Sequence, residues 1–558
     1  MGTAADWSTL LDQVYPDHPE LGDKVREVLS SHSRSHPGNG ASPWSEKDAW
    51  LITYADQFRT DGRPPMASLR QFYNSRLRPW INGVHILPFY PWSSDDGYSV
   101  IDYRSVDPRY GTWIDVENLA GDARVMFDAV INHVSAGSRW FLDYLAGDPK
   151  YRDFFLSLPP DTDLSEVVRP RTSPLLTAFE RKDGTVWVWT TFSPDQIDLN
   201  YRNPDLFLKI LDVLLNYAAH GAAMIRLDAV QFMWKEVGST SINMPQGHHV
   251  IQLLRACMDE IYPDVIFITE TNVPHAENIS YFGGDRREAQ MVYQFPLPPL
   301  VLDALHTGEV GLLAKWLRDL DPITEGCTFL NFLSSHDGVG VRPVEGILPQ
   351  SNVDDLVSLT LKGGGQVGVR TVGADTVPYE LNTTWFSLME TGYTPDQAVA
   401  RHLASHAIML ALRGIPGIYA LSLVGARSDQ AGFDETGRAR SLNRTRFTTE
   451  GLAVDLADPA SVAAKVTAGL ERMLRWRGST AAFHPDSPQQ ILETPPGVLG
   501  IQRGAGDALA HVYVNVTPRS VEIDWPGAGW IGNEVAPPAG GATIAIGPWD
   551  SVWLRKDG

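Results

Sequence analysis

Cysteine is nearly absent. The 558 residues hold only Cys257 and Cys327, both in apolar segments, which reads as two buried thiols and leaves no disulfide framework. No apolar run is long enough to cross a bilayer. The N-terminus lacks the basic stretch followed by an apolar core that marks a secretory leader, so the expected compartment is the cytoplasm. Positive charge is in deficit, with 46 Lys and Arg against 67 Asp and Glu and a net charge of -21. That balance argues against nucleic acid or an anionic membrane as the main partner. There is no Walker motif, no dinucleotide fingerprint and no His-Glu-x-x-His, so no nucleotide cofactor and no zinc is expected. No internal repeat stands out.

What is present is a set of short apolar runs that end on charge. Ala222-Ala-Met-Ile-Arg226-Leu-Asp228 has the look of a buried parallel strand, polar only where it leaves the sheet. Arg226 and Asp228 are two apart and leave one face, so the guanidinium should favour an ionised Asp228. Alone, this describes a structural ion pair as well as a nucleophile. Three companions change the balance: Val265 to Glu270, Thr328 to His336-Asp337, and Arg124 through Asp128 to Asn132-His133. Strands that each deliver Asp, Glu or His at their carboxyl ends suit a (β/α)8 TIM barrel, whose rim there carries the chemistry. Two carboxyl groups on one rim are the equipment for glycoside chemistry, one attacking and one donating a proton.

These runs resemble the α-amylase superfamily of glycoside hydrolases and transglycosylases. Asp128-Ala-Val-Ile-Asn-His133, Met224-Ile-Arg226-Leu-Asp228, Ile268-Thr-Glu270 and Leu333-Ser-Ser-His336-Asp337 match that family's four signatures, in its order. His85-Ile-Leu-Pro-Phe89, Asp95-Asp96-Gly97-Tyr98, Arg169-Pro-Arg171 and Leu442-Asn443-Arg444 are similar to the sucrose phosphorylase subfamily. Tyr379-Glu380-Leu-Asn382 carries Glu where sucrose phosphorylases typically carry Gln. The Ser94 to Tyr103 loop and the long N-terminal preface are closer to the branch that includes glucosylglycerate phosphorylases.

The chain is too long for one barrel of about 250 residues. Residues 1–45 read as a helical preface and linker, with Ser31 to Pro43 as the linker proper. Residues 46–133 and 200–480 are the expected barrel; 134–199, Pro-rich and irregular, an inserted domain after the third strand; and 485–558, with short alternating runs, a C-terminal β-sandwich. Gly338 to about Pro395 reads as a long connection between the seventh and eighth strands, a length usually associated with function.

The resemblance implies a retaining α-glucoside phosphorylase that gives α-D-glucose 1-phosphate by double displacement, with 2-O-α-glucosylglycerate as the leading donor. Sucrose, glucosylglycerol and a plain α-glucosidase or transglucosidase are the alternatives. It implies Asp228 as nucleophile, Glu270 as acid and base, and Asp337 as the carboxylate that binds sugar hydroxyls. Arg226 would orient Asp228, His133 and His336 would donate to glucose, and Asp95, Arg444 and Tyr98 would clamp and stack on it. Gln196 would line the sugar site and Glu380 the acceptor site. Arg171 is the leading phosphate ligand, since a guanidinium matches phosphate geometry, and Arg342, just after His336-Asp337, is a candidate cation for the glycerate carboxylate. Some amylases hold calcium near the Asn132 position; the phosphorylase branch does not need it, so no metal is expected and phosphate is a co-substrate. A homodimer is an open option.

Overall fold

The computed structural model describes residues 6–33, 43–284, 287–321, 323–372, 375–533, 535, 538 and 542–556. Most of the linker expected before Pro43, residues 34–42, lies outside them. Eight parallel strands close into a barrel: β1 Trp50–Thr53, β2 Gly83–Ile86, β3 Arg124–Ala129, β4 Ala222–Leu227, β5 Ile266–Thr269, β6 Met291–Tyr293, β7 Thr328–Asn331 and β8 Ile415–Tyr419. Each pairs with its neighbours in chain order, and β8 closes on β1 through Trp50 opposite Gly417.

Side-chain alternation along the strands decides what fills the interior. Trp50, Met126, Met224, Ile266, Ile268, Met291, Leu330 and Ile415 form one apolar cluster inside the barrel. The residues between them, such as Leu51, Val125, Phe127, Ile225 and Phe267, belong to the outer core beneath the helices. Gly83 makes the floor: a Cβ there would lie 2.3 Å from the Trp50 ring, so only glycine lets that indole lie across β2. One strand-step above this apolar floor the inward positions become His85, Asp128 and Arg226, then Asp228 and Glu270 at the mouth. The barrel thus changes from oil to charge along its own axis.

Helices connect the strands. The one feeding β4, Pro204–Ala219, starts on Asn203, whose side chain accepts from the amides of Asp205 and Leu206, and carries Pro at its first position. Two N-terminal helices, Trp7–Val14 and Leu21–Ser30, pack on the outside of Pro204–Ala219 and Pro245–Ile261. Leu21, Val25 and Leu29, one helical turn apart, are the buried stripe.

After β3 the chain forms His133–Ser135, pairs it antiparallel with Gln196–Asp198, and places between them the hairpin Leu176–Arg181 and Gly184–Trp189. The C-terminal part has a five-stranded antiparallel sheet, with Val498–Ala505, Ala508–Asn515 and Ser551–Lys556 as its inner strands, and a two-stranded layer, Val521–Asp524 with Thr543–Ile546. Val498, Ile523, Ile544 and Leu554 share a core between them. The long connection after β7 is not irregular. It folds into helix Gln350–Lys362 and a hairpin, Gln366–Val372 with Asp375–Asn382, whose second strand pairs with Val339–Gly340 beside Asp337.

Candidate active site

Asp228 and Glu270 leave adjacent strands side by side, because Leu227 of β4 is in register with Thr269 of β5. Neighbouring strands lie about 4.8 Å apart, which suits the roughly 5–5.5 Å between the carboxyl groups of a retaining glycosidase. Arg226 serves both: Nη1 is 2.7 Å from Asp228 and Nη2 is 3.8 Å from Glu270. Its other partner is Asp128, which in turn accepts from His85 Nε2 at 2.6 Å. Ala229 turns the chain just past Asp228 in the left-handed region, φ 51°, and its N–H donates to Glu270 at 3.2 Å.

Burial pushes both Asp228 and Glu270 up from ordinary carboxylate values, Glu270 to about 7. Arg226 opposes the rise in both, and it sits closer to Asp228. A proton shared by the pair therefore rests on Glu270, leaving a charged Asp228 beside a protonated Glu270. Asp337 behaves otherwise. Burial acts to raise it, but Arg440 and Arg444 outweigh that and hold it below the usual range. Burial, with Arg226 and Arg444 nearby, keeps His336 neutral.

One pocket at the barrel mouth is lined by Asp95, Tyr98, His133, Arg171, Gln196, Arg226, Asp228, Glu270, His336, Asp337 and Glu380. Arg444 stands behind its wall, donating from Nε to the His336 carbonyl at 3.1 Å and gripping Asp96. Asp96 is its main anchor, while Asp95, 3.7 Å away, faces the pocket. The loop holding these two acids depends on Gly97, φ 114°, where a Cβ would lie 2.7 Å from the Pro88 carbonyl.

Several expected sugar contacts are engaged within the protein. His133 Nε2 donates to the Tyr98 carbonyl at 2.8 Å, and Gln196 Nε2 donates to the same oxygen at 3.1 Å. They anchor the Tyr98 loop to the inserted segment. The Tyr98 ring stacks on His336, centroids 4.7 Å apart. Glu380 has both oxygens on Arg440 and so meets a guanidinium where the sequence suggests an acceptor hydroxyl. Arg171 lies over the Tyr379 ring at 5.9 Å. Neither Arg171 nor Arg342, both on the pocket wall, pairs with a carboxylate among the described residues.

Three further residues take part in the site without a role assigned to them from the sequence. His85 could have been found by parity, being two positions after inward Gly83. Arg440 carries no sequence signal beyond its spacing of one turn from Arg444. Lys235 is buried, and its Nζ meets Asn132 Oδ1 at 2.8 Å, Asp198 Oδ2 at 3.0 Å and the Leu199 carbonyl at 3.3 Å. These are the oxygens around Asn132 that a calcium would need. The ammonium already sits among them, so the donor set does not fit an added cation.

Residues 80–338 match the family model for the catalytic domain of α-amylase. The chain is 46% identical over 539 residues to a glucosylglycerate phosphorylase of Allomeiothermus silvanus, covering 96% of this chain and 95% of that protein. It is 28% identical over 456 residues to a sucrose phosphorylase of Bifidobacterium adolescentis, covering 78% and 85%. The crystal structure of sucrose 6F-phosphate phosphorylase from Thermoanaerobacter thermosaccharolyticum superposes with a TM-score of 0.74 at 23% identity, over 84% of this chain and 94% of that one.

Proposed function

The chain belongs to the α-amylase family, among the glucosylglycerate phosphorylases, and from that premise we propose that it cleaves 2-O-α-glucosylglycerate with phosphate to give α-D-glucose 1-phosphate and glycerate. The observation that carries the choice of substrate is the near full-length identity of 46%, against 28% for the sucrose-cleaving relative.

The site supports this reading. Asp228 attacks C1 as the C1–O bond to glycerate breaks, and Glu270 gives its proton to the departing oxygen. The resulting β-glucosyl ester is opened by a phosphate oxygen from the face glycerate vacated, and Glu270 takes up the proton that phosphate loses. Two inversions give net retention. Phosphate and glycerate are both anions, and both need a cation that is not already spent. Arg171 and Arg342 offer guanidinium groups without a carboxylate partner on that wall. Glu380, which would repel an anion if bare, has its charge met by Arg440.

The test supplies α-glucose 1-phosphate and compares D-glycerate, glycerol and fructose as acceptors. The proposal expects D-glycerate to give the highest kcat/KM; preference for fructose or glycerol would overturn it. In the forward direction glucose 1-phosphate should exceed free glucose whenever phosphate is present, and Asp228→Asn should abolish both.

A further inference from the structure

Three carboxylates of the pocket converge on a single side chain. Arg440 Nε and Nη2 donate to the two oxygens of Glu380 at 3.1 and 2.9 Å, a two-pronged grip. Its Nη1 pairs with Asp337 Oδ1 at 2.8 Å and reaches Asp95 Oδ1 at 3.7 Å. We propose that Arg440 is a positioning residue for glucosyl transfer: it fixes the Asp337 carboxylate at the glucose site, and Glu380 is its counter-charge and not a ligand of the acceptor. This rests on the glucosyl-transfer reading given above.

Geometry around Glu380 makes the case. The Gly338 N–H, next in the chain after Asp337, donates to Glu380 Oε1 at 3.2 Å. Gly340 is in register with Glu380 across the short sheet, and a Cβ at Gly338 would lie 2.5 Å from the Leu381 carbonyl. Asp337 is thus tied twice to one neighbour, through its own following peptide and through Arg440. Both Glu380 oxygens are spent in this, and its side chain is only 6% exposed. The planar fork holds Glu380 by two hydrogen bonds and thereby sets its remaining nitrogen, Nη1, 2.8 Å from Asp337 Oδ1 as an ion pair; a flexible ammonium cannot do both.

Charge gives the second argument. Without Arg440, Asp95, Asp337 and Glu380 would crowd three negative charges beside the path of an anionic acceptor. Burial acts to raise both Asp337 and Glu380, and Arg440 is the foremost group pulling each of them down. Arg444 adds to this from farther off: its Nη2 is 3.9 Å from Asp337 Oδ1, against 2.8 Å for Arg440 Nη1, while its Nε and Nη1 hold the His336 carbonyl and Asp96.

The experiment uses Arg440→Ala, Arg440→Lys and Glu380→Gln in the full chain, with unfolding temperature measured for each. Arg440→Ala should lower kcat about 100-fold, the order of loss that a misplaced group at the reacting site causes. Added guanidinium ion should restore at least about a tenth of wild-type kcat, because it replaces the missing group without changing the chain. Arg440→Lys keeps the charge but loses the fork, and should lower kcat about 10-fold with KM for phosphate within about 2-fold of wild type. Glu380→Gln should slow transfer to glycerate, glycerol and fructose by one common factor, leaving their order unchanged.

A raised KM for phosphate at unchanged kcat in the Arg440 variants would make Arg440 a phosphate ligand and overturn the proposal. Failure of guanidinium to restore a folded Arg440→Ala protein would do so too, as would a changed acceptor order in Glu380→Gln. Were Arg440→Ala not to fold, Arg440→Lys and Glu380→Gln would decide alone. Fluoride release from α-glucosyl fluoride reads glucosyl transfer without any natural acceptor, so the role of Arg440 can stand or fall even if wild-type enzyme prefers a donor other than glucosylglycerate.

Discussion

At the scale of single residues, Glu270 is the group whose ionisation can be followed. Burial and the charges of Asp228 and Asp337 lift it to about 7, against the pull of Arg226. The protonated form is the one that helps glycerate leave, so kcat/KM for glucosylglycerate should fall as pH rises through about 7. With α-glucosyl fluoride, whose leaving group needs little protonation, that alkaline limb should flatten for glucosyl loading. Glu270→Gln should remove most activity on the glycerate glucoside yet still release fluoride. Equal losses on the two donors, or an alkaline limb that persists with the fluoride, would take Glu270 out of the acid role. The sequence already spoke here: Asp228, Glu270 and Asp337 each follow an apolar run, and that pattern was enough to place them on one rim. It could not say which ring nitrogens and amide groups would be occupied. His133 reads as a sugar donor and Gln196 as a sugar-site residue in one dimension; in the fold both line the pocket and both donate to the Tyr98 carbonyl, where the inserted segment pairs against the loop.

At the scale of elements, helix Pro395–Ala411 carries a buried pair, His402 and His406, with rings 4.3 Å apart. His402 Nε2 donates to the Ser422 carbonyl at 2.9 Å, and His406 Nδ1 donates to the His402 carbonyl at 2.8 Å. Burial lowers both, His406 to about 4, against an ordinary value near 6.5. A depressed basic group takes up fewer protons folded than unfolded. Its contribution is intact above about 6.5 and is lost as pH falls toward 4. The unfolding temperature of the wild type should drop across that window, and His406→Gln should show a shallower pH dependence there even if its stability at neutral pH is lower. An unchanged slope would place the acid sensitivity elsewhere. Elements were legible in proportion to their burial. The barrel strands announce themselves as short apolar runs because both their faces are covered. The hairpin after β7 did not, since positions such as Val369 and Thr376 on its strands are exposed, where no apolar pattern is required.

At the scale of the whole molecule, buried cations join the parts, two of them arginines that have no carboxylate partner among the described residues. Arg477 and Arg503, both fully buried, donate to main-chain carbonyls of Leu410, Ala411, Gly414 and His484. Arg503 ties the C-terminal sheet, and Arg477 the helix Val462–Gly478, to the end of helix Pro395–Ala411, satisfying the Ala411 and Leu410 carbonyls that this helix terminus leaves open. The inserted segment is held by a cation of a different kind. Lys235 lies past β4, yet its ammonium joins Asn132 after β3 to Asp198 at the end of the insert. Lys235→Met would leave Asp198 buried without its cation, a loss of about 3–5 kcal/mol. Its unfolding temperature should fall together with kcat, since His133 and Gln196 border the same seam. Wild-type unfolding temperature should be indifferent to a chelator; a marked drop would show that another ion shares the work. None of this was legible in sequence, because the three residues are far apart in the chain and a lone lysine in a loop reads as solvent-facing.

The ammonium of Lys235 has a consequence in terms of mass action. A bound ion taken from the medium occupies its site only to the extent that its free concentration exceeds its dissociation constant, so a protein held by one weakens on dilution of that ion or in competition for it. A cation that is part of the chain has no such isotherm. Its occupancy is set by synthesis, one for every molecule that folds, and the joint between barrel and insert is equally complete in a cell compartment poor in divalent ions and in one rich in them.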